Sequence, residues 1–359
     1  MTLRIDLIGA GYAGTRLVRA FEHVAAGRGE DIDVRTYSRA DTAALPDDPA
    51  RIHLMYEGAD VVINAANDDQ HLSILNILQH VDGFVLSEKP LVAPQDSVPD
   101  RWAGVWESGD RFAMNCIERY SPAVDHVLAQ TRRRDLRIAR IDFTWAKNRF
   151  DDPRPTVDVV SEVVHPLDLC CYLTGASAED VHLHNAAVIN SDYTSLTDDT
   201  PESVQIMASM NDVAVTGYSS FAHPDRRRAF DIILVGDDGA REYVELIFDD
   251  PGWDHDRLRH WSADGAQPCQ DTAFITGGTA PETCGKLCLF AEDVLWGDHG
   301  RRYTTFVEAA GLQRLLADIH RFSQDALSLR YGRGPRRTTL DSRGSAKSVG
   351  GCLISRGSG

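Results

Sequence analysis

The chain predicts a two-domain α/β protein whose N-terminal part is a doubly wound parallel sheet, and three observations carry that reading. A strand, a glycine turn and a helix follow one another without a gap over residues 3–24. A further apolar run, Gly83-Phe84-Val85-Leu86, leads into Glu88-Lys89-Pro90, the pattern of a strand ending in a turn. At 359 residues the chain is longer than one hydrophobic core usually fills.

The first element is a strand over 3–8, Leu-Arg-Ile-Asp-Leu-Ile. Gly9-Ala10-Gly11-Tyr12-Ala13-Gly14 follows, and 15–24 has the apolar spacing of an amphipathic helix. In this arrangement Gly9 turns the chain, Gly11 lets backbone approach a pyrophosphate, and Gly14 allows close helix packing. The free N–H groups and positive dipole of the helix N-terminus then suit an anion, so a dinucleotide is expected over Gly9 to Gly14.

The second strand is read over 31–37, and Ser38-Arg39 follows it. An NAD site usually carries an acidic residue there for the ribose 2′-hydroxyl. A hydroxyl and a guanidinium suit a 2′-phosphate instead, which favours NADP(H), while Asp41 keeps NAD(H) open.

Later elements follow by pattern. Residues 136–147 alternate as a strand that would project Trp145, Lys147 and Arg149 from one face. An aromatic surface with two cations suits a small-molecule substrate bearing a carboxylate, a phosphate or several hydroxyls. Tyr120, near the expected domain crossover, is a further candidate for the cleft. A proline-stiffened loop, 151–156, leads to 158–175, where Ser161, His165 and Asp168 share a face if one helix continues through Pro166. Alternatively the helix begins at Pro166 with His165 at its cap. Strands are expected over 204–215, 229–235 and 241–248, loops over the Gly-, Asp- and Pro-rich stretch 250–300, and a helix over 303–326. The Gly/Ser/Arg composition beyond Arg333 predicts a disordered tail within 331–359.

Composition narrows the function. A formal charge of −17 argues against sequence-independent nucleic-acid binding, and no apolar run is long enough to span a bilayer. Seven cysteines without a CxxC pair, and an N-terminus without a signal-peptide core, predict reduced thiols, a cytoplasmic setting and no metal. Lysine is scarce: Lys89, Lys147, Lys286 and Lys347 are the only four, against plentiful arginine. Lys89 stands out because an amine can exchange a proton where a guanidinium cannot.

The order Gly9-x-Gly11-x-x-Gly14, Asp60 to Asn67 with His71, Glu88-Lys89-Pro90, and Glu162 to Asp168 with His165-x-x-Asp168 resembles the Gfo/Idh/MocA oxidoreductases over about residues 3 to 325. The resemblance implies a Rossmann domain over 1–120 and, over 121–330, an α/β domain with a large, mostly antiparallel open sheet. It implies hydride transfer between NAD(P) and a C=O or CH–OH carbon of a sugar, cyclitol or related molecule. Lys89 and His165 match the family's catalytic pair, and Asn67, His71, Glu88 and Lys89 itself would join the glycine motif, Ser38 and Arg39 around the cofactor. A dimer or tetramer is expected on the same ground.

Two departures stand out. Ser161 occupies the position of the family's usual aspartate, with Glu162 beside it as a candidate substitute, although one residue rotates a helical side chain by about 100°. One extra residue also separates Asn67 from His71. Three other readings stay open at this level: a cyclic-imine reductase, an enzyme of nucleotide-linked keto sugars, and a non-catalytic NADP-binding regulator.

Overall fold

A computed structural model describes residues 2–45, 48–107, 111–133, 135–150, 152, 158–194, 199–265, 269–276 and 284–332. The chain divides into two compact units, Met1–Tyr120 with Gly277–Ala317, and Ser121–Thr276 with the stretch from Asp318 on. Residues 277–317, read from sequence with the second domain, thus group with the first unit.

The first unit holds strands β1 (Thr2–Ile8), β2 (Asp31–Tyr37), β3 (Val61–Asn64), β4 (Phe84–Ser87) and β5 (Phe112–Met114). Helices α1 (Tyr12–Gly27), α2 (Arg39–Ala43), α3 (Pro49–Tyr56), α4 (His71–Leu78) and α5 (Ala103–Trp106) lie between them. The strand order is β2-β1-β3-β4-β5, all parallel, so each connection crosses over a face of the sheet. Parallel strands are buried on both faces, which is why β3 reads Val-Val-Ile-Asn without alternation. The chain leaves β1 toward β2 on one side and β3 on the other, placing a topological switch at the carboxyl ends of β1 and β3.

The second unit holds α6 (Pro122–Arg133), β6 (Leu136–Asn148), α7 (Val160–Thr174), β7 (Val181–Ser191), β8 (Thr200–Met210), β9 (Val213–Ser220), β10 (Ala222–Gly236), β11 (Arg241–Ile247), β12 (His255–Ser262) and β13 (Gln270–Ile275). With β14 (Leu327–Leu329) these strands form a nine-stranded sheet of order β13-β12-β11-β10-β6-β9-β8-β7-β14. It is antiparallel except at β6–β9 and β7–β14.

Three expectations need correction. The strand read over 204–215 is the hairpin β8–β9, turning at Asn211, whose φ of 51° is in the left-handed region that asparagine tolerates. The stretch 250–300 is not loop: it contains β12, β13 and helix α8 (Gly285–Trp296), and α9 (Phe306–Arg321) follows. Apolar Leu287, Phe290 and Ala291 of α8 complete the core formed by Ile5, Leu7, Leu17, Phe21 and Ile63. Third, of the two readings of 158–175 the start at Pro166 with His165 at its cap fails and the continuous helix stands, since α7 runs unbroken through Pro166 and ends on Gly175 at φ 66°. Residues 333–359 lie outside the described residues; just before them, the Asp192 carboxylate accepts the backbone N–H groups of Tyr331 and Gly332. No described helix is long and apolar enough to cross a membrane.

Candidate functional site

In the first unit the glycine turn closes against the loop after β3. A Cβ on Gly9, which has φ 92°, would lie 2.4 Å from the Ala65 carbonyl oxygen, and one on Gly14 would lie 2.2 Å from that of Gly9. These two positions therefore require glycine whether or not a ligand binds, Gly9 by its positive φ as well as by contact. Gly11 differs: it precedes α1 with an extended backbone, and nothing lies within 4 Å of where its Cβ would be. Its missing side chain leaves open space in front of the N-terminus of a 16-residue helix. Ala10, Ala13 and the exposed Tyr12, whose ring lies under the Arg16 guanidinium at 5.3 Å, complete the turn.

At the end of β2, Ser38 and Asp41 form a capping box. The Ser38 hydroxyl donates to Asp41 Oδ2 at 2.6 Å, its N–H does so at 2.7 Å, and Ser38 Oγ accepts from the Asp41 N–H. The Ser38 hydroxyl hydrogen bond, followed by the backbone one, holds the Asp41 carboxyl below its ordinary range. Arg39 is exposed at the first position of α2 and lines a cavity of about 600 Å³ with Thr42, Ile52, Gln70, Ile74 and Arg101.

The Glu-Lys-Pro turn leaves the same carboxyl edge of the sheet, directly after β4. The Glu88 N–H donates to the Asn64 carbonyl at 2.7 Å, and Glu88 Oε1 accepts from Asn115 Nδ2 at 2.7 Å. Lys89 is half-buried and joined to Pro90 by a cis peptide bond. His71, expected at the cofactor, is fully buried: Nδ1 lies 2.6 Å from the Pro90 carbonyl oxygen and Nε2 lies 3.3 Å from that of Ala66. It braces two loops instead of presenting a donor to a ligand. Asn67, in the loop after β3, starts a short 3₁₀ turn without capping it through its side chain.

Tyr120 is a correction. It is buried in the first unit, its hydroxyl donates to Asp293 Oδ2 at 2.7 Å, and its ring packs edge-on against Phe290. Burial, then the Asp293 hydrogen bond, pushes the hydroxyl well above its ordinary range. It is a core anchor, not a cleft residue.

In the second unit, β6 and α7 assemble a polar cluster. Trp145 and Lys147 do share a face, with Lys147 partly exposed and Trp145 covered: Trp145 is 2% exposed and stacks on the His165 ring, centroids 5.7 Å apart. Trp145 Nε1 donates to Glu162 Oε1 at 3.2 Å, and Lys147 Nζ lies 2.8 Å from the same oxygen. Arg228 lies over Trp145 at 4.6 Å and pairs with Asp249 at 2.6 Å. Glu162 is thus committed to Lys147 and Trp145. Ser161 is buried and donates to the Asp158 carbonyl at 2.8 Å, and Asp168 is buried on the same helix. Arg149 pairs with Asp152 at 3.2 Å and lies over Phe221. The rest of the 151–156 loop is outside the described residues.

Asn115, Arg228 and Gln313 also hold these turns and clusters, and nothing local in the sequence marks the first two. Gln313 carried a signal, since it interrupts the apolar stripe Ala309, Leu312, Leu316, Ile319 of α9 while being 2% exposed.

No protein-family model matches the chain, and no curated protein does. Solved structures do match in fold. UDP-N-acetylglucosamine 3-dehydrogenase GnnA from Acidithiobacillus ferrooxidans is 16% identical with TM-score 0.61, over 91% of this chain and 98% of that one. KijD10, a 3-ketoreductase from Actinomadura kijaniata in complex with NADP, is 15% identical with TM-score 0.62, over 92% and 100%. A levoglucosan dehydrogenase in complex with NADH is 15% identical with TM-score 0.63, over 91% and 98%. At these identities the likeness is one of fold: a Rossmann-like parallel sheet followed by a large mixed sheet.

Proposed function

We propose that the chain is an NADP(H)-dependent oxidoreductase acting on a C=O or CH–OH carbon of a sugar, cyclitol or related small molecule. The observation that carries this reading is the pairing of the open space at Gly11 with Lys89 on one carboxyl edge of a doubly wound sheet. The residues present fit a dinucleotide. The backbone of Gly9 to Gly14 would hold the pyrophosphate, and Arg39, at the end of β2, stands where the adenosine ribose would lie.

The capping box supports the NADP preference. The Asp41 carboxylate is taken up by Ser38, which leaves it a poor partner for a ribose diol, while Arg39 at the cavity offers a permanent charge for a 2′-phosphate. Ser38 spends its hydroxyl proton on Asp41, so the phosphate would rest on Arg39.

When bound, the cofactor supplies or accepts a hydride at a substrate carbon. Lys89 Nζ gives a proton to the substrate oxygen in the reductive direction and takes it back in the other. Within the second unit His165, its ring plane set by the stack on Trp145, is the residue that matches the histidine of the resembled catalytic pair. The carboxylate usual four residues before the histidine is absent, since Ser161 stands at that position and donates its hydroxyl to the Asp158 carbonyl. The named substrates of the fold neighbours, among them a nucleotide-linked sugar, support a sugar here.

The test is NADPH oxidation and NADP reduction against a panel of free and nucleotide-linked keto sugars and their alcohols. Lys89→Met is expected to lower kcat by about 10²- to 10⁴-fold with cofactor affinity little changed. Full turnover in that variant would refute the assignment.

A further inference from the structure

We propose that His71 is a positioning residue for Lys89, locking the Glu-Lys-Pro turn to the loop after β3; this rests on the reading of Lys89 as proton donor. The imidazole is fully buried at the first position of α4, in reach of no solvent, and spans two loops that are far apart in sequence. Nδ1 lies 2.6 Å from the carbonyl oxygen of Pro90, the residue after Lys89, and on this assignment donates to it. Nε2 faces the carbonyl of Ala66, whose neighbour Ala65 packs against Gly9 of the glycine turn.

The rest of the turn is held on both sides. Asn64 accepts the Glu88 N–H and donates from Nδ2 to Ser87 Oγ at 3.0 Å, and Asn115 fixes the Glu88 carboxylate. Beyond Pro90, Gln313 accepts the Val92 N–H at 3.3 Å and donates to the Ala93 carbonyl at 3.0 Å. His71 is the member of this set that reaches the residue adjoining Lys89 and the glycine-turn side together. A lysine has four rotatable bonds, so the placement of its amine depends on how firmly its backbone is held. A buried imidazole fixed by a short hydrogen bond supplies that hold without contacting substrate or cofactor.

Because the full chain has only four lysines, ¹³C-dimethyl-lysine NMR resolves Lys89, with Lys89→Arg assigning its signal. Replacing His71 with Leu, which keeps an apolar side chain in place but removes the donor, is expected to move the Lys89 titration midpoint by about half a pH unit or more. His71→Asn, whose amide can still donate to Pro90, is expected to restore most of the wild-type midpoint. A Leu variant whose Lys89 titrates as in wild type would overturn the proposal. A second readout needs no variant: the His71 tautomer in the wild-type chain, from long-range ¹H–¹⁵N correlations assigned through contacts with Pro90. A protonated Nδ1 supports the assignment; protonation at Nε2 alone overturns it. Both readouts are taken without cofactor, so they stand apart from dinucleotide binding, on which the oxidoreductase reading depends.

Discussion

Gly9 and Gly14 are glycine for a different reason from Gly11. The first two are forced by backbone contacts of 2.4 and 2.2 Å, and the third faces open space. Gly14→Ala is therefore expected to destabilise the protein by about 1–3 kcal/mol, since the carbonyl it meets is main chain and cannot swing away. Thermal or urea unfolding measures this, and an unchanged midpoint would show that the turn is looser than described. Arg39 has the opposite character, exposed and uncommitted to the fold. Its removal should leave stability unaltered and weaken NADPH by roughly 10- to 100-fold, the range of a charge-assisted contact, with NADH changed little. Equal weakening of both would remove Arg39 from 2′-phosphate recognition. The identities of these residues were legible in the sequence because glycines in a turn and an arginine after a strand announce their backbone or charge locally.

Elements were legible where periodicity was clean and lost where composition masked it. β1 and β2 stood out from their apolar content and flanking turns, but β8 and β9 ran together because Asn211-Asp212 is a two-residue turn inside one alternating stretch. α8 was hidden in a region rich in Gly, Asp and Pro, yet it seals the first unit's core. Its last turns are tied down by Asp293, which accepts from Tyr120, His299, Arg301 and Arg302. Tyr120→Phe should accordingly cost about 1.5–3 kcal/mol in unfolding free energy without altering cofactor affinity. Loss of substrate affinity at unchanged stability would instead return Tyr120 to a cleft. In the second unit, Phe143 lies across Gly217 of the paired strand and stacks on Phe230, so its ring cannot yield to a new methyl. Gly217→Ala is expected to lower stability by about 1–3 kcal/mol, read from the denaturation midpoint.

At the scale of the whole molecule, charge sets the response to acid. Asp41, Asp142, Asp180, Asp192 and Asp271 have carboxyls held below their ordinary range by hydrogen bonds to serine, arginine, threonine or backbone partners. A carboxyl depressed in the folded state contributes stability that is complete above its unfolded pKa, near 3.9, and is lost as pH falls through the folded value. Burial lifts Asp96 and Asp231 and opposes this, but among the described residues whose shifts are resolved the depressed carboxyls outnumber them. The melting temperature is expected to hold between about pH 5 and 7 and to fall below about pH 4. A melting temperature that rises on acidification would reverse that balance.

The fold class was readable because the glycine turn, the second apolar strand and the chain length all point the same way. The polar partnerships were not, since Glu162 with Lys147, His71 with Pro90 and Gln313 with Val92 join residues whose meeting depends on topology. One titration bears on everything built upon the glycine turn: NADPH and NADH binding to wild type and to Gly11→Val, followed by nicotinamide fluorescence, with melting curves alongside. The introduced isopropyl group enters space that the fold leaves open, so the unfolding free energy should change by no more than about 1 kcal/mol while NADPH binding, tight in wild type, is lost. Undiminished NADPH binding by a folded Gly11→Val, or no binding of either nucleotide by wild type, would contradict a dinucleotide at this turn.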